Sequence, residues 1–117
     1  MNSVSYSRIM AENKYYPFFE LLATPLRMGI ISLLKDSEAL CVKDICESLG
    51  EEQSKVSHAL KRLRECNAVW VEKKGNFRYY SLNKVTIIPM LELIDRHVMS
   101  YCAVCRHLGE KDRNSRT

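Results

Sequence analysis

The chain has 117 residues, 46% of them hydrophobic, which suffices for one hydrophobic core and argues against two independent domains. Its formal net charge is only +4, so a nucleic-acid partner can be inferred only from where the charge lies. No apolar run approaches the roughly 20 residues of a membrane span, and no signal peptide begins the chain, so we expect a soluble, cytoplasmic protein.

Three segments are expected along the chain. Residues 1–13 are polar with scattered apolar side chains and are predicted to be flexible. Residues 14–108 are predicted to fold, and the charged residues 109–117 are predicted to form a disordered tail. The folded part opens with a helix whose large apolar face is formed by Tyr15, Tyr16, Phe18, Phe19, Leu21 and Leu22.

A helix-turn-helix and a hairpin are predicted next. Thr24-Pro25 opens the second helix, because Thr is a good N-cap and Pro is favoured at the first helical position. A third helix, from about Val42 to Leu49, stops at Gly50, and a fourth follows almost at once, from about Ser54 to Glu65. Two β-prone runs around Gly75-Asn76 then predict a hairpin with a basic tip, which is typical of the wing of a winged helix.

A last helix is predicted from about Val85 to Leu108. Its apolar residues recur at spacings of three and four, which predicts a seam for another helix, formed by Leu91, Ile94, Val98, Tyr101, Cys105 and Leu108. This seam can pack on the first helix of the same chain, on a second copy, or on both. The predicted fold class is mainly α with a small β-hairpin, a winged helix-turn-helix of order α-α-α-α-β-β-α that forms a homodimer through its terminal helices.

The positive charge is concentrated between residues 53 and 82. This segment carries seven cations against two anions, whereas the rest of the chain carries eleven against twelve. The first turn of the fourth helix can offer side chains to base edges, and the later cations and the hairpin tip can contact phosphates. Alternatively, these charges only solvate a helix and a hairpin. The candidate DNA-binding residues are Gln53, Ser54, Lys55, Ser57, His58, Lys61, Arg62, Lys73, Lys74 and Arg78.

Three segments resemble the ArsR/SmtB family of metal- or metalloid-released repressors. LATPLR at 22–27, QSKVSHALKRLR at 53–64 and GNFRYYSL at 75–82 are similar to the family's second helix, recognition helix and wing. The resemblance covers roughly residues 15–108. It implies a dimer that occupies an inverted repeat in double-stranded DNA and leaves it when an inducer binds. It also implies DNA contacts by Gln53, Ser54, Ser57, His58 and Arg78, with a metal-ligand role for His58 as an alternative.

Five irregularly spaced cysteines, in a chain without a secretion signal, favour free thiols or metal ligands over disulfides. The family's thiol site has the form Cys-Val-Cys-Asp-Leu-Cys, and the matching stretch here keeps Cys41 and Cys46 but has Lys43 at the middle position. Thiolates suit As(III), Cd(II) and Zn(II). Five helical residues rotate by about 140°, so Cys41 and Cys46 can share an ion only if Cys41 precedes the first turn.

The family's other site, a zinc site on the last helix, is not expected to be intact. Asp95 and His97, with His107 and Glu110, supply the right residue types. In the family, however, the Asp-x-His follows the wing almost at once, and here those positions are Lys84 and Thr86, which are not ligands. Of the four residues, only His97 occupies a position that corresponds to one of the later ligands of the family's zinc site.

Cys102 and Cys105 are the preferred sensor thiols. Residues three apart on a helix can close on one ion, and Arg106 and His107 can help to keep thiolates ionised. The alternative is that Cys105 is a small residue of the apolar seam, and Cys66 is interpreted as a packing residue. The preferred site joins Cys102 and Cys105 to a third thiol, Cys41 or Cys46 of either subunit.

The sequence thus predicts a transcriptional repressor, not an enzyme, with no organic cofactor, released from its operator by As(III), Cd(II) or Zn(II). Alternatives are a redox- or sulfide-responsive repressor of the same fold, a winged-helix regulator with no inducer, and a winged helix that does not bind DNA. A small thiol enzyme is disfavoured, because no Gly-rich phosphate loop is present and no third residue evidently orients a Cys-His pair.

Overall fold

The computed structural model describes residues 5, 7, 8 and 13–115, with side chains up to residue 109. Most of the segment predicted to be flexible, residues 1–13, therefore lies outside the described residues. The chain forms two compact units, Met1–Asn83 and Lys84–Thr117. The elements are α1 (Tyr15–Leu22), α2 (Pro25–Lys35), β1 (Leu40–Cys41), α3 (Val42–Leu49), α4 (Gln53–Glu65), β2 (Val69–Lys74), β3 (Phe77–Leu82), α5 (Ile87–Tyr101) and α6 (Ala103–Ser115).

The corner between α1 and α2 is held by side-chain hydrogen bonds to the backbone. Thr24 is the N-cap of α2, as predicted, and its hydroxyl accepts a 3.1 Å hydrogen bond from the backbone N–H of Arg27. The Arg27 guanidinium donates in turn to the carbonyl oxygen of Leu21, at 2.7 Å. These bonds satisfy backbone groups that both helix ends would otherwise leave without partners.

The core of the first unit lies between α2, α3, α4 and the sheet. Val56, Leu60 and Leu63 of α4 point inward, and each is 0% exposed. Full burial of one such aliphatic side chain contributes about 1.5–3 kcal/mol. Because α4 is held along this whole face, its opposite face is presented to solvent in a fixed orientation.

The hairpin belongs to a three-stranded antiparallel sheet of order β1-β3-β2. β2 and β3 pair from Val69 opposite Leu82 to Lys74 opposite Phe77, and a two-residue turn joins them. Gly75, at the first turn position, has φ of 63°, a conformation that glycine adopts without steric cost. The sequence did not predict β1, because a strand of two residues is too short to show a pattern.

The last helix differs from its prediction. It is broken at Cys102 (φ −114°, ψ 83°), where α5 ends and α6 begins. The Arg106 guanidinium donates a 3.0 Å hydrogen bond to the carbonyl oxygen of Met99, which the break leaves without a helical partner. α6 continues to Ser115, so the tail predicted to be disordered is helical from residue 109 to residue 115.

The order of elements is therefore α-α-β-α-α-β-β-α-α, and the mainly helical class with a small antiparallel hairpin is confirmed. Among the described residues, no single helix combines the length and the apolar character needed to cross a bilayer. Only α1 and α2 taken together, at 81° to each other, meet that test, and they do so on length and composition alone.

Candidate nucleic-acid interface and thiol sites

The solvent face of α4 carries the side chains predicted to meet DNA. The turn before α4 begins at Gly50, whose φ of 65° ends α3 sharply. The N-cap residue of α4, Glu52, makes no side-chain hydrogen bond to the first turn, so the backbone N–H groups there have no side-chain cap. The exposed residues of this helix include Gln53, Ser54, Lys55, Ser57, His58 and Lys61.

The C-terminal end of α4 is tied to the end of the hairpin. Asn67 has φ of 60°, and the N–H groups of Asn67 and Ala68 donate to the carbonyl oxygens of Arg64 and Leu63, both at 3.0 Å. This is a Schellman motif with Asn in the left-handed position. The side-chain amide of Asn83, just after β3, donates to the carbonyl oxygen of Asn67 at 2.9 Å. Helix and hairpin are thus connected by hydrogen bonds as well as by packing.

The hairpin tip brings two cations directly opposite each other. Lys73 pairs with Arg78 in the antiparallel register, and both side chains are exposed. Like charges in direct cross-strand pairs are destabilising, and an anion between them removes that cost. Lys74 is paired with Phe77 and therefore lies on the other face of the hairpin. The structure thus separates three cations that were predicted to form one basic tip.

Arg62, another candidate DNA-binding residue, lies beside an acidic side chain of its own helix. Its Nη1 lies 3.7 Å from Oε2 of Glu65, one turn later on α4. Both side chains line a cavity of about 280 Å³ whose other walls are Pro17, Phe18, Leu21 and Cys66. Burial raises the pKa of the Cys66 thiol. The residue is exposed as a whole, however, so its interpretation as a packing residue stays a prediction.

Cys41 satisfies the backbone condition for sharing an ion with Cys46. It precedes α3 in extended conformation (φ −83°, ψ 167°). The angle between the Cys41 and Cys46 side chains is therefore not fixed by the rotation of a regular helix. Its thiol donates a 3.1 Å hydrogen bond to Oδ2 of Asp44. Cys41 also pairs with Tyr79 of β3, so this thiol is attached to the sheet that includes the wing.

Cys102 and Cys105 are brought together, but not as neighbours on one continuous helix. Cys102 is the residue just before α6 and Cys105 is its third residue. Sγ of Cys102 accepts hydrogen bonds from the Cys105 thiol and from the backbone N–H groups of Cys105 and Val104, which lower the pKa of Cys102. The same thiol pair raises the pKa of Cys105. Arg106 was predicted to help keep the thiolates ionised. Its guanidinium instead donates a hydrogen bond to the carbonyl oxygen of Met99.

A complete metal site is not formed within the described part of the chain. No group of three or more His, Cys, Asp or Glu side chains is placed to hold a metal ion there. His97, considered for the zinc site, lies beside the ring of Tyr101, with the ring centroids 5.8 Å apart. The cysteine pair supplies two soft ligands, so the donor chemistry fits a thiophilic ion but needs at least one further ligand.

Comparison with known proteins identifies the family. The family model of bacterial regulatory proteins of the arsR family matches residues 24–69. The arsenical resistance operon repressor of Bacillus subtilis is 33% identical over 99 residues, which cover 85% of this chain and 89% of that repressor. NmtR of Mycobacterium tuberculosis is 36% identical over 95 residues, which cover 81% of this chain and 74% of NmtR.

This chain belongs to the ArsR/SmtB family. The family consists of DNA-binding transcription regulators and not of enzymes. The match spans only 56% of the arsenical resistance operon repressor of Escherichia coli and 64% of the SmtB homolog of Synechocystis, each 38% identical to this chain.

Solved structures support the winged-helix assignment of this ArsR/SmtB protein. The solution structure of apo-NmtR superposes with a TM-score of 0.63 at 30% identity, over 85% of this chain and 81% of that one. NolR from Sinorhizobium fredii superposes with a TM-score of 0.69 at 24% identity, over 87% and 98% of the two chains, and so supports the fold alone. The winged helix-turn-helix prediction is confirmed.

Proposed function

We propose that this chain is a homodimeric repressor that binds an inverted repeat in double-stranded DNA through α4 and the wing. We further propose that it leaves that site when a thiophilic metal or metalloid ion binds its cysteines. The observation that carries the DNA-binding half is the cross-strand pair of Lys73 and Arg78, two exposed cations held directly opposite each other. Such a pair weakens the free hairpin, and a phosphate group between the two side chains compensates for that.

The remaining contacts follow from the face of α4 that the core leaves free. Gln53, Ser54, Ser57 and His58 lie toward its N-terminal half, where side chains reach base edges in the major groove. Lys55 and Lys61, also exposed, would contact phosphates. Arg62 is a weaker candidate than the sequence indicated, because its guanidinium lies beside Glu65.

A second copy of the chain is required to match an inverted repeat. Several large apolar side chains of the terminal helices are exposed: Tyr15 (64%) and Phe19 (58%) in α1, and Tyr101 (80%) and Leu108 (61%) in the second unit. Apolar surface of this kind favours association over exposure to water. In a homodimer, two copies of α4 about 34 Å apart would enter successive major grooves.

The inducer is proposed from the chemistry of the thiols and from the relatives. Cys102 and Cys105 would hold the ion, with Cys41 or Cys46 of either subunit as a third ligand, and three pyramidal sulfurs suit As(III) in particular. When bound, such an ion supplies a cross-link between thiolates. Two relatives are named arsenical resistance operon repressors and two are named cadmium resistance transcriptional regulatory proteins, and this supports As(III) and Cd(II), with Zn(II) as the third candidate.

Release from DNA tests this proposal. A fluorescent duplex, selected by the metal-free protein from a randomised library, is titrated with the protein and then with As(III), Cd(II) or Zn(II). We expect at least one ion to lower the affinity of the wild type. The double variant Cys102→Ser, Cys105→Ser should keep its affinity for the duplex and lose the release.

Cys66→Ser is the matched control and should be released like the wild type, because its thiol lines a separate cavity. Unchanged release in the double variant would move the site to other residues. A protein that selects no duplex, or whose affinity for DNA does not fall with salt, would refute DNA binding itself.

A further inference from the structure

A cavity of about 280 Å³ lies between α1 and the C-terminal end of α4. The residues that line it all belong to the first unit: Pro17, Phe18, Leu21, Arg62, Glu65 and Cys66. Tyr15 and Phe19, the exposed residues of α1 that are proposed to hold the dimer, are not among them. The space equals about nine water molecules at the volume each has in the liquid, so it suits a small molecule.

The two walls of the cavity differ in chemistry. The α1 wall is apolar and consists of Pro17, the half-buried ring of Phe18, and Leu21, which is only 4% exposed. The α4 wall carries a guanidinium and a carboxylate, because Arg62 and Glu65 are three residues apart and share one helix face. The cavity therefore fits a molecule with an apolar body on one side and both a negative and a positive group on the other.

The two charged groups of the α4 wall are close but are not hydrogen-bonded to each other. Nη1 of Arg62 lies 3.7 Å from Oε2 of Glu65, which is too long for an N–H···O hydrogen bond. In the part of the chain that the structure describes, no other group is hydrogen-bonded to either side chain. Both side chains therefore keep their hydrogen-bonding capacity for water or for a ligand.

We propose that this cavity binds a free apolar α-amino acid, such as phenylalanine or leucine. The carboxylate of the amino acid contacts Arg62, its ammonium group contacts Glu65, and its side chain packs on the α1 wall. A free amino acid carries both charged groups on one carbon atom, which suits two partners 3.7 Å apart. A peptide has only one of these groups at each end, and a polar side chain would lose its hydrogen bonds to water against the apolar wall.

The affinity is expected to be modest. The Arg62 and Glu65 side chains are 43% and 49% exposed, so water screens both charged contacts in part. A ligand of about a dozen non-hydrogen atoms in such a site should have a Kd on the order of 1 mM. The site goes beyond the proposed function, because it involves neither DNA nor a metal ion.

NMR titrations of the isotope-labelled full chain test the site. L-Phenylalanine should shift the backbone amide signals of Phe18, Leu21, Arg62 and Cys66 and leave those of the wing unchanged. Glycine, which lacks the apolar group, should bind at least about tenfold more weakly. Phenethylamine, which lacks the carboxylate, and phenylpropionate, which lacks the ammonium group, should each bind about three- to tenfold more weakly.

Two variants assign the charged contacts. Arg62→Gln should weaken the binding of phenylalanine but not that of phenethylamine, which has no carboxylate to lose a partner. Glu65→Gln should weaken the binding of phenylalanine but not that of phenylpropionate. Arg64→Gln removes a guanidinium from the same helix outside the cavity, so this matched control should bind phenylalanine like the wild type.

The inference is overturned if phenylalanine shifts none of these signals up to about 10 mM, or shifts a different region. It is also overturned if phenylpropionate or phenethylamine binds the wild type as tightly as phenylalanine does, or if Arg64→Gln weakens binding as much as Arg62→Gln. The same spectra show whether each variant is folded, and the ligand series on the wild type needs no variant. Since these titrations contain neither DNA nor a metal ion, failure here is distinguishable from failure of the repressor proposal.

Discussion

The side-chain amide of Asn83 donates a 2.9 Å hydrogen bond to the carbonyl oxygen of Asn67, the left-handed residue that follows the C-terminal end of α4. The backbone N–H of Asn83 also donates to the carbonyl oxygen of Ala68, at 2.9 Å. One residue at the end of the first unit therefore binds two consecutive carbonyls beyond α4. This connection fixes the hairpin exit relative to the helix that is proposed to contact DNA.

Replacing Asn83 should weaken the first unit. Asn83→Ala removes the donor to Asn67 and should lower the free energy of unfolding by about 1 kcal/mol, measured by urea denaturation. Asn83→Asp should cost more, because it replaces the donor by a carboxylate facing a carbonyl oxygen. Ser32→Ala, on the exposed surface of α2, is the control and should change stability by less than about 0.5 kcal/mol. Equal stability of Asn83→Ala and the control would contradict the role of this bond.

The left-handed backbone at Asn67 gives a second prediction. Asn67→Gly should be tolerated, because glycine adopts φ of 60° without steric cost. Asn67→Val should lower the free energy of unfolding by about 1–3 kcal/mol, because a β-branched side chain is strained in this conformation. The same urea titrations measure both variants. A valine variant as stable as the glycine variant would show that the turn relaxes to another conformation.

The wing pair should give opposite changes in stability and in DNA binding. Lys73→Gln removes a like-charge cross-strand contact and should raise the free energy of unfolding by roughly 0.2–1 kcal/mol. The same substitution should weaken DNA binding and reduce the slope of log affinity against log salt by about one phosphate contact. Lys74→Gln is matched in charge but lies on the other face of the hairpin, so it should leave hairpin stability nearly unchanged.

Arg78→Gln should reproduce both effects of Lys73→Gln, since the two side chains form one pair. In the double variant the two effects on DNA affinity should not be additive, because a phosphate held between two side chains is lost when either is removed. If Lys73→Gln weakens DNA binding no more than Lys74→Gln does, the pairing has no part in recognition.

The raised pKa of Cys66 predicts slow alkylation. A variant with Cys66 as its single cysteine should react with iodoacetamide more slowly than the same protein in urea at every pH below the folded midpoint. The sign follows from burial, which disfavours the thiolate and moves the midpoint upward. The neutral thiol also stabilises the fold at low pH, and this contribution should be lost as pH rises through the folded pKa. Identical pH profiles in folded and unfolded protein would exclude this environment.

The elements with strong local signals could be predicted from the sequence. Thr24-Pro25 begins α2, Gly50 ends α3, and Gly75-Asn76 turns the hairpin, because each conformation is favoured by the residues at that place. The bond between Asn83 and Asn67 could not be predicted, since it joins positions 16 residues apart. An Asn after the end of α4 was the one available signal for the left-handed turn.

The break at Cys102 was hidden by the apolar spacing on either side of it. Tyr101, Cys105 and Leu108 keep the period of a continuous helix, and neither Gly nor Pro marks the interruption. The corner is stabilised by the hydrogen bond from the Arg106 guanidinium back to the Met99 carbonyl oxygen, a long-side-chain contact that apolar spacing does not indicate. The grouping of Cys102 with Cys105 as sensor thiols stays a prediction, and the end of α5 at Cys102 became evident only with the structure.

The third strand determines how the wing can adapt to a surface. β1 meets β3 only at Tyr79 and Tyr80, so the hairpin is anchored at its root while its outer end, from Lys73 to Arg78, extends past the last three-stranded row. We expect a ribbon supported in this way to bend at its free end. Its charged extremity can follow small differences in groove width from one binding sequence to another without disturbing the buried residues at its base.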